Sequence, residues 1–150
     1  MPQAIELFSK VIAAAPHHTR ALERRLECHL SLGDYATIKV DSETLLACGD
    51  EQAREAASKA TAEARRQLNM PAREVLGLPL RAPAGMPSQA EAEVKKAYRQ
   101  LCLQFHPDKH AASSPEMQVR AKHRFARIQA AYEKLIKPSA SPSYRNAYGF

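Results

Sequence analysis

Two apolar stripes of helical period, one on each side of His106-Pro107-Asp108, constrain this chain more than any other feature. Upstream, Val94, Ala97, Tyr98, Leu101 and Phe105 recur at intervals of three and four, so they share one helix face. Lys95, Lys96, Arg99, Gln100 and Gln104 fall on the others. Downstream, Phe125, Ile128, Tyr132 and Leu135 repeat the pattern. Two such faces are buried most simply against each other, which makes an antiparallel helical hairpin. Pro107 ends the first helix, because its ring lacks the N–H and disfavours helical geometry in His106. Taken without its flanks, the tripeptide is a helix stop followed by an Asx-type turn. With them it stands at the bend of the hairpin.

Composition narrows the classes. A chain of 150 residues with 45% hydrophobic side chains and no Trp builds one ordinary domain or two small ones. No run approaches the roughly 20 apolar residues of a membrane span, and no charged-then-apolar leader opens the sequence. Cys28, Cys48 and Cys102 are odd in number and widely spaced, which disfavours a disulfide scaffold or a structural zinc site and suits a reducing compartment, here the cytoplasm. Charge is unevenly divided. Residues 1–69 carry 9 basic and 10 acidic side chains, whereas residues 70–150 carry 13 and 6. A basic half can meet nucleic acid, an anionic membrane or an acidic protein surface, and charge alone does not choose.

The second half resembles the J domain, the helical module of the DnaJ co-chaperones. Lys95-Lys96-Ala97-Tyr98-Arg99-Gln100-Leu101, Phe105-His106-Pro107-Asp108-Lys109 and Phe125 through Leu135 carry the resemblance. Arg73 through Leu78 is similar to the family's short first helix, and Ser143 through Tyr148 to its fourth. The resemblance implies helix I at about 71–77, helix II at about 89–105, the tripeptide loop at 106–115, helix III at about 116–137 and a weak helix IV at about 143–148. Pro79, Pro83, Gly85 and Pro87 mark a loop before helix II, with Ser88 and Glu91 spaced as a capping box. Pro115 fits the first turn of helix III. The loops before helix II and after the tripeptide are longer than is usual in the family. Its first-helix tyrosines are replaced by Ala72 and Arg73, a loss of packing worth about 3–5 kcal/mol where nothing refills the space.

Residues 1–69 read as almost continuous helix. Ala4, Phe8, Val11 and Pro16 are spaced as in the second helix of a tetratricopeptide repeat, and Gly33 and Tyr35 fall between the helices of the next. Ile38 and Ser42 stand where a small residue and an aromatic are expected. Residues 51–69, rich in strong helix formers, start a third repeat or cap the array. Some tetratricopeptide proteins clamp an acidic tail. In this register the clamp positions fall at Glu27, Ala57 and Thr61, so no clamp is expected. The whole is expected to be all-α: a partial repeat array over residues 1–69, then a J-domain hairpin over 70–150. The array's opening within a repeat suggests a piece of a longer protein.

The resemblance implies a co-chaperone that recruits a DnaK-type chaperone of the seventy-kilodalton heat-shock class and stimulates its ATP hydrolysis. His106, Pro107 and Asp108 would dock, with Asp108 offered to an arginine of the partner. Lys95, Lys96, Arg99 and Lys109 would face an acidic groove, with Tyr98 at the edge of the strip, and the repeats would hold another chaperone or a client. Val94, Ala97, Leu101, Phe105, Phe125, Ile128, Tyr132 and Leu135 form the expected core. The alternatives are a passive helical scaffold with a degenerate J domain, and nucleic-acid binding through Arg120, Lys122, His123, Arg124 and Arg127. Against the latter, Phe125 and Tyr132 are assigned to the apolar stripe, leaving few rings for base stacking. His106, His110 and His123 match no standard zinc spacing, and His17-His18 lacks acidic or thiol neighbours. Glu91 with Glu93, or Asp108 with Glu116, has no pocket or nucleophile beside it. No enzyme, cofactor or metal is expected, and no nucleic-acid or membrane partner.

Overall fold

The structure, a computed structural model, describes residues 1–81 and 87–136. It is built from helices alone among those residues: α1 (Pro2–Ala14), α2 (Thr19–Leu32), α3 (Ile38–Cys48), α4 (Glu51–Leu68), α5 (Ala72–Val75), α6 (Pro87–Phe105), a 3-10 turn (Pro107–His110) and α7 (Pro115–Ile136). The expected fourth helix at 143–148, the break at 137–143 and most of the loop before α6 lie outside the described residues.

Local chemistry explains the boundaries. Pro2 opens α1 at a position whose N–H would be unsatisfied anyway. The His18 ring accepts the Ala21 N–H at 3.1 Å and caps α2. Gly33 closes α2 at φ 74°, and the Asp34 N–H reaches back to the His29 carbonyl at 3.0 Å. That left-handed ending is cheap only for glycine. Asp50 caps α4 by accepting the Ala53 N–H at 2.8 Å.

Helices α1 to α4 pack in sequence, and α2 also meets α4. The buried face of α4 is Ala53, Ala57, Ala60 and Ala64, small side chains at intervals of four, three and four that let its neighbours approach closely. Two apolar clusters result: Leu22 and Leu45 against Ala53 and Ala57, then Leu26 and Ile38 against Ala60 and Ala64. Ile38 and Ser42 are both buried, and among the described residues the Ser42 hydroxyl has no hydrogen-bond partner. Asp41 is also buried, held by Arg25 through two oxygens at 2.7 and 2.5 Å, while Arg25 donates to the Ser9 hydroxyl at 2.9 Å. This link joins α1, α2 and α3.

The third cluster belongs to the hairpin. Leu76, Val94, Ile128 and Ala131 are buried, and Ala97, Tyr98, Leu101, Phe105, Tyr132 and Leu135 pack around them. Helix α7 touches α5 and α6 on one side and α1 and α2 on the other, so the hairpin lies against the array.

Several expectations change in detail. The first hairpin helix is a single turn, α5, ended by Leu76 and Gly77 at φ 69°. Helix α6 begins at Pro87, so Ser88 lies inside it rather than capping it, and Glu91 pairs with Lys95. Phe125 is half-buried and stands edge-on to His106, outside the central cluster, because the stripe there reaches the turn end of the hairpin.

Candidate functional site: the turn between α6 and α7

The bend begins where α6 stops at Phe105. His106 is extended (φ −60°, ψ 133°), as a residue before proline prefers. Its Nδ1 accepts the Asp108 N–H at 3.3 Å, and its ring meets Phe125 edge-on at 5.9 Å between centroids. Nδ1 also lies 3.5 Å from the Asp108 carboxylate. The bond from the Asp108 N–H needs Nδ1 without a proton, whereas the carboxylate contact is an ion pair only with one, so the same nitrogen cannot serve both at once. His106 braces the bend from below. Asp108 remains outside it, with its side chain 91% exposed.

The longer loop beyond is tied down. His110 Nε2 lies 3.1 Å from the Gln104 carbonyl, and the Gln118 amide donates to the carbonyls of Ala111 and Ser113 at 2.9 and 3.0 Å. The Ser114 carbonyl accepts the Gln118 N–H at 3.0 Å as α7 begins.

The cations on α6 divide. Lys96 and Arg99 are exposed, and Lys109 is exposed beside Asp108; among the described residues none of the three holds an ion pair. Lys95 donates to Glu91 at 2.5 Å, a bond that raises the ammonium pKa. Tyr98 turns inward and stacks on Tyr132, centroids 4.0 Å apart and planes 17° from parallel. Burial first, then the Cys102 side chain, pushes its hydroxyl up to about 12. Tyr98 is therefore a packing residue of the hairpin.

Arg73, where the resemblance led one to expect lost packing, is only 12% exposed. It donates to the Pro79 carbonyl at 2.6 Å and to Glu93 at 3.3 Å, fastening the turn after α5 to α6. Leu76, with Ala72, Val75 and Leu78, fills the space beneath. Arg127, grouped in the sequence with a basic face, is used internally. It donates to the Gln67 carbonyl at 2.9 Å and lies over the Tyr35 ring. No sequence signal distinguished it from its neighbours on α7. At the three clamp positions, Glu27 pairs with Arg24, Ala57 is in the core, and the Thr61 hydroxyl donates to the Ala57 carbonyl. Among the described residues no three His, Cys, Asp or Glu side chains gather as a metal site, and no helix is long and apolar enough to cross a membrane.

A helical hairpin with an outward carboxylate on a proline-stiffened bend is the arrangement that defines a class of small helical modules. Comparison with known proteins gives that class its name: residues 74–145 match the family model of the DnaJ domain. The chain is similar to "DnaJ homolog subfamily C member 11" of Bos taurus, 42% identical over 57 residues, which is 38% of this chain and 10% of that protein. It is similar to "Adaptation to cold protein J" of Shewanella oneidensis, 40% identical over 58 residues, 39% of this chain and 57% of that protein. "Chaperone protein DnaJ" of Thermotoga maritima is 41% identical over 54 residues, 36% of this chain and 14% of that protein. The chain thus spans from a tenth to just over half of these relatives. No solved structure gives a significant match.

Proposed function

We propose that this chain is a co-chaperone that docks a DnaK-type chaperone on the bend between α6 and α7 and stimulates its ATP hydrolysis. The observation that carries the reading is Asp108: an exposed carboxylate on a braced turn, with Lys96, Arg99 and Lys109 exposed on and beside the preceding helix. A fixed acid flanked by cations suits a partner that offers an arginine beside an acidic groove. The acid sets the register through a charge-assisted pair, and the cations raise the rate of encounter. Catalysis stays on the partner; this chain makes and breaks no bond. Relatives named as chaperones support the same reading.

Residues 1–69 act as a scaffold of tetratricopeptide type, with the DnaJ half following from residue 70. The order of α1 to α4, the packing of α2 on α4 and a groove of about 660 Å³ along those two helices favour this role. The groove would hold a further chaperone or client. Its lining mixes both charges, Arg20, Arg24 and Lys59 with Glu23, Glu27 and Glu63, which argues against a purely acidic ligand there. Three free cysteines fit a reducing compartment such as the cytoplasm.

The test is single-turnover ATP hydrolysis by a DnaK-type chaperone with and without the full chain. A rate increase that His106→Gln and Asp108→Asn each abolish is expected. No increase, or one indifferent to both substitutions, overturns the proposal and leaves a passive scaffold. In that case ATP-dependent capture of the chaperone is absent too.

A further inference from the structure

Between the array and the hairpin lies a cleft of about 360 Å³, walled by the end of α2 and its following turn on one side and by α7 on the other. Three arginines, Arg120, Arg124 and Arg127, face it together with His110 and His123, and among the described residues no carboxylate does. Asp34, beside the corner after α2, is turned to His29 and Thr37, at 3.1 and 2.8 Å. Ser31 and Tyr35 also line it, and Leu30, Leu32, Met117 and Ala121 give it an apolar part. We infer that this cleft is a docking site for an extended acidic peptide segment of another protein.

The spacing of the cations favours a peptide. Arg120, Arg124 and Arg127 follow one another at intervals of four and three, so they line one face of α7. At about 1.5 Å of rise per residue they span about 10 Å. An extended chain covers that length in roughly three residues at about 3.3 Å each. Carboxylates along such a chain can meet successive guanidinium groups while an apolar side chain between them rests on Leu30 and Met117. Two of the guanidinium groups are held in advance, Arg124 5.5 Å from the Phe105 ring centroid and Arg127 5.2 Å from that of Tyr35. Prior restraint lowers the ordering cost of binding. Residues 82–86 and 137–150 contain no Asp or Glu, so neither segment supplies the acid. The cleft borders the chaperone-docking turn through Phe105 and His110 and shares Leu30 with the groove along α2 and α4, while its arginines belong to neither.

The probe is a fluorescein-labelled hexapeptide, Glu-Glu-Leu-Leu-Glu-Glu, titrated with the full chain and followed by fluorescence anisotropy. Binding is expected, weakening as salt rises, and absent for the peptide with lysine in place of glutamate. Arg120→Glu with Arg124→Glu, both exposed positions, should weaken it by about tenfold or more, the loss of roughly one to two charge-assisted pairs. Arg54→Glu with Arg65→Glu makes the same change in net charge on exposed positions outside the cleft and should leave binding unchanged. In the unaltered chain, amide resonances of residues 30–35 and 117–127 should shift on titration, a readout independent of any variant. No binding, equal loss from both double variants, or shifts confined elsewhere overturn the inference. So does tighter binding of an oligouridine of equal charge that the cleft variant abolishes, which assigns the site to nucleic acid.

Discussion

The guanidinium carbon of Arg127 stands 5.2 Å from the centre of the Tyr35 ring, and the same group donates to the Gln67 carbonyl at 2.9 Å. One side chain of α7 thus reaches both the turn after α2 and the end of α4. Burial pushes its pKa down, against the pull of Tyr35, yet an arginine stays charged throughout the working range. Arg127→Ala should cost about 2 kcal/mol, the sum of a partly desolvated cation–π contact and a charged hydrogen bond. Urea unfolding measures the loss. Limited proteolysis near residues 68–71 should become faster as the halves part. Arg127→Lys should fall between, because an ammonium cannot stack and fork at once.

Asp41 and Arg25 form the one interaction in the array whose loss should be severe. The pair is mostly desolvated and bidentate, and Arg25 also serves Ser9. Removing one partner strands a charge, so Asp41→Asn or Arg25→Leu alone should cost about 3 kcal/mol or more. Replacing both by leucine should recover most of that, since no unpaired charge is left behind. Thermal and urea melts of the three variants decide it.

Tyr98 supplies a pH signature. Its hydroxyl is pushed from an ordinary value of 10.0 up to about 12, chiefly by burial. The folded state therefore holds its proton more tightly than the unfolded chain. The stabilisation is full below pH 10 and is lost as pH rises through 12. Absorbance at the tyrosinate band should show one late-titrating tyrosine, absent in Tyr98→Phe. Denaturation midpoints between pH 10 and 12 should fall more steeply in the parent than in that variant.

Asp108 should be dispensable for folding. With its side chain in solvent, Asp108→Asn should change stability by no more than about 0.5 kcal/mol. A calorimetric scan that shows a larger loss would mean the carboxylate holds the bend itself. Ile128→Ala, at the centre of the hairpin and wholly buried, should by contrast cost about 2–5 kcal/mol.

The hairpin was legible because its information is periodic. Val94, Leu101, Ile128 and Tyr132 announce a face by spacing, and the proline between the stripes announces the bend. Asp108 followed, since nothing in the local pattern could cover it. What spacing cannot say is how far a neighbour extends, which is why Phe125 was read with the core and lies against His106. Polar side chains were less legible still. Arg25, Asp41, Arg73 and Arg127 look like any charged residues on amphipathic helices, and their partners are remote in sequence: Arg25 and Asp41 are 16 residues apart, Arg73 and Glu93 20, Arg127 and Gln67 60. Such pairs are decided by tertiary geometry. Helix ends were intermediate: Gly33 reads as a stop, whereas Ser88 resembles a cap and lies one residue inside a helix opened by Pro87.

Gly33 begins a short corner that Asp34, His29 and Thr37 lock together and that sets Tyr35 beneath Arg127. The corner is therefore also a joint. A bulky residue in place of Gly33, by tilting the aromatic plate a few ångströms, would loosen the bearing on which the distant α7 rests. Damage at this spot would register as misalignment between the two halves before it registered as unfolding of either.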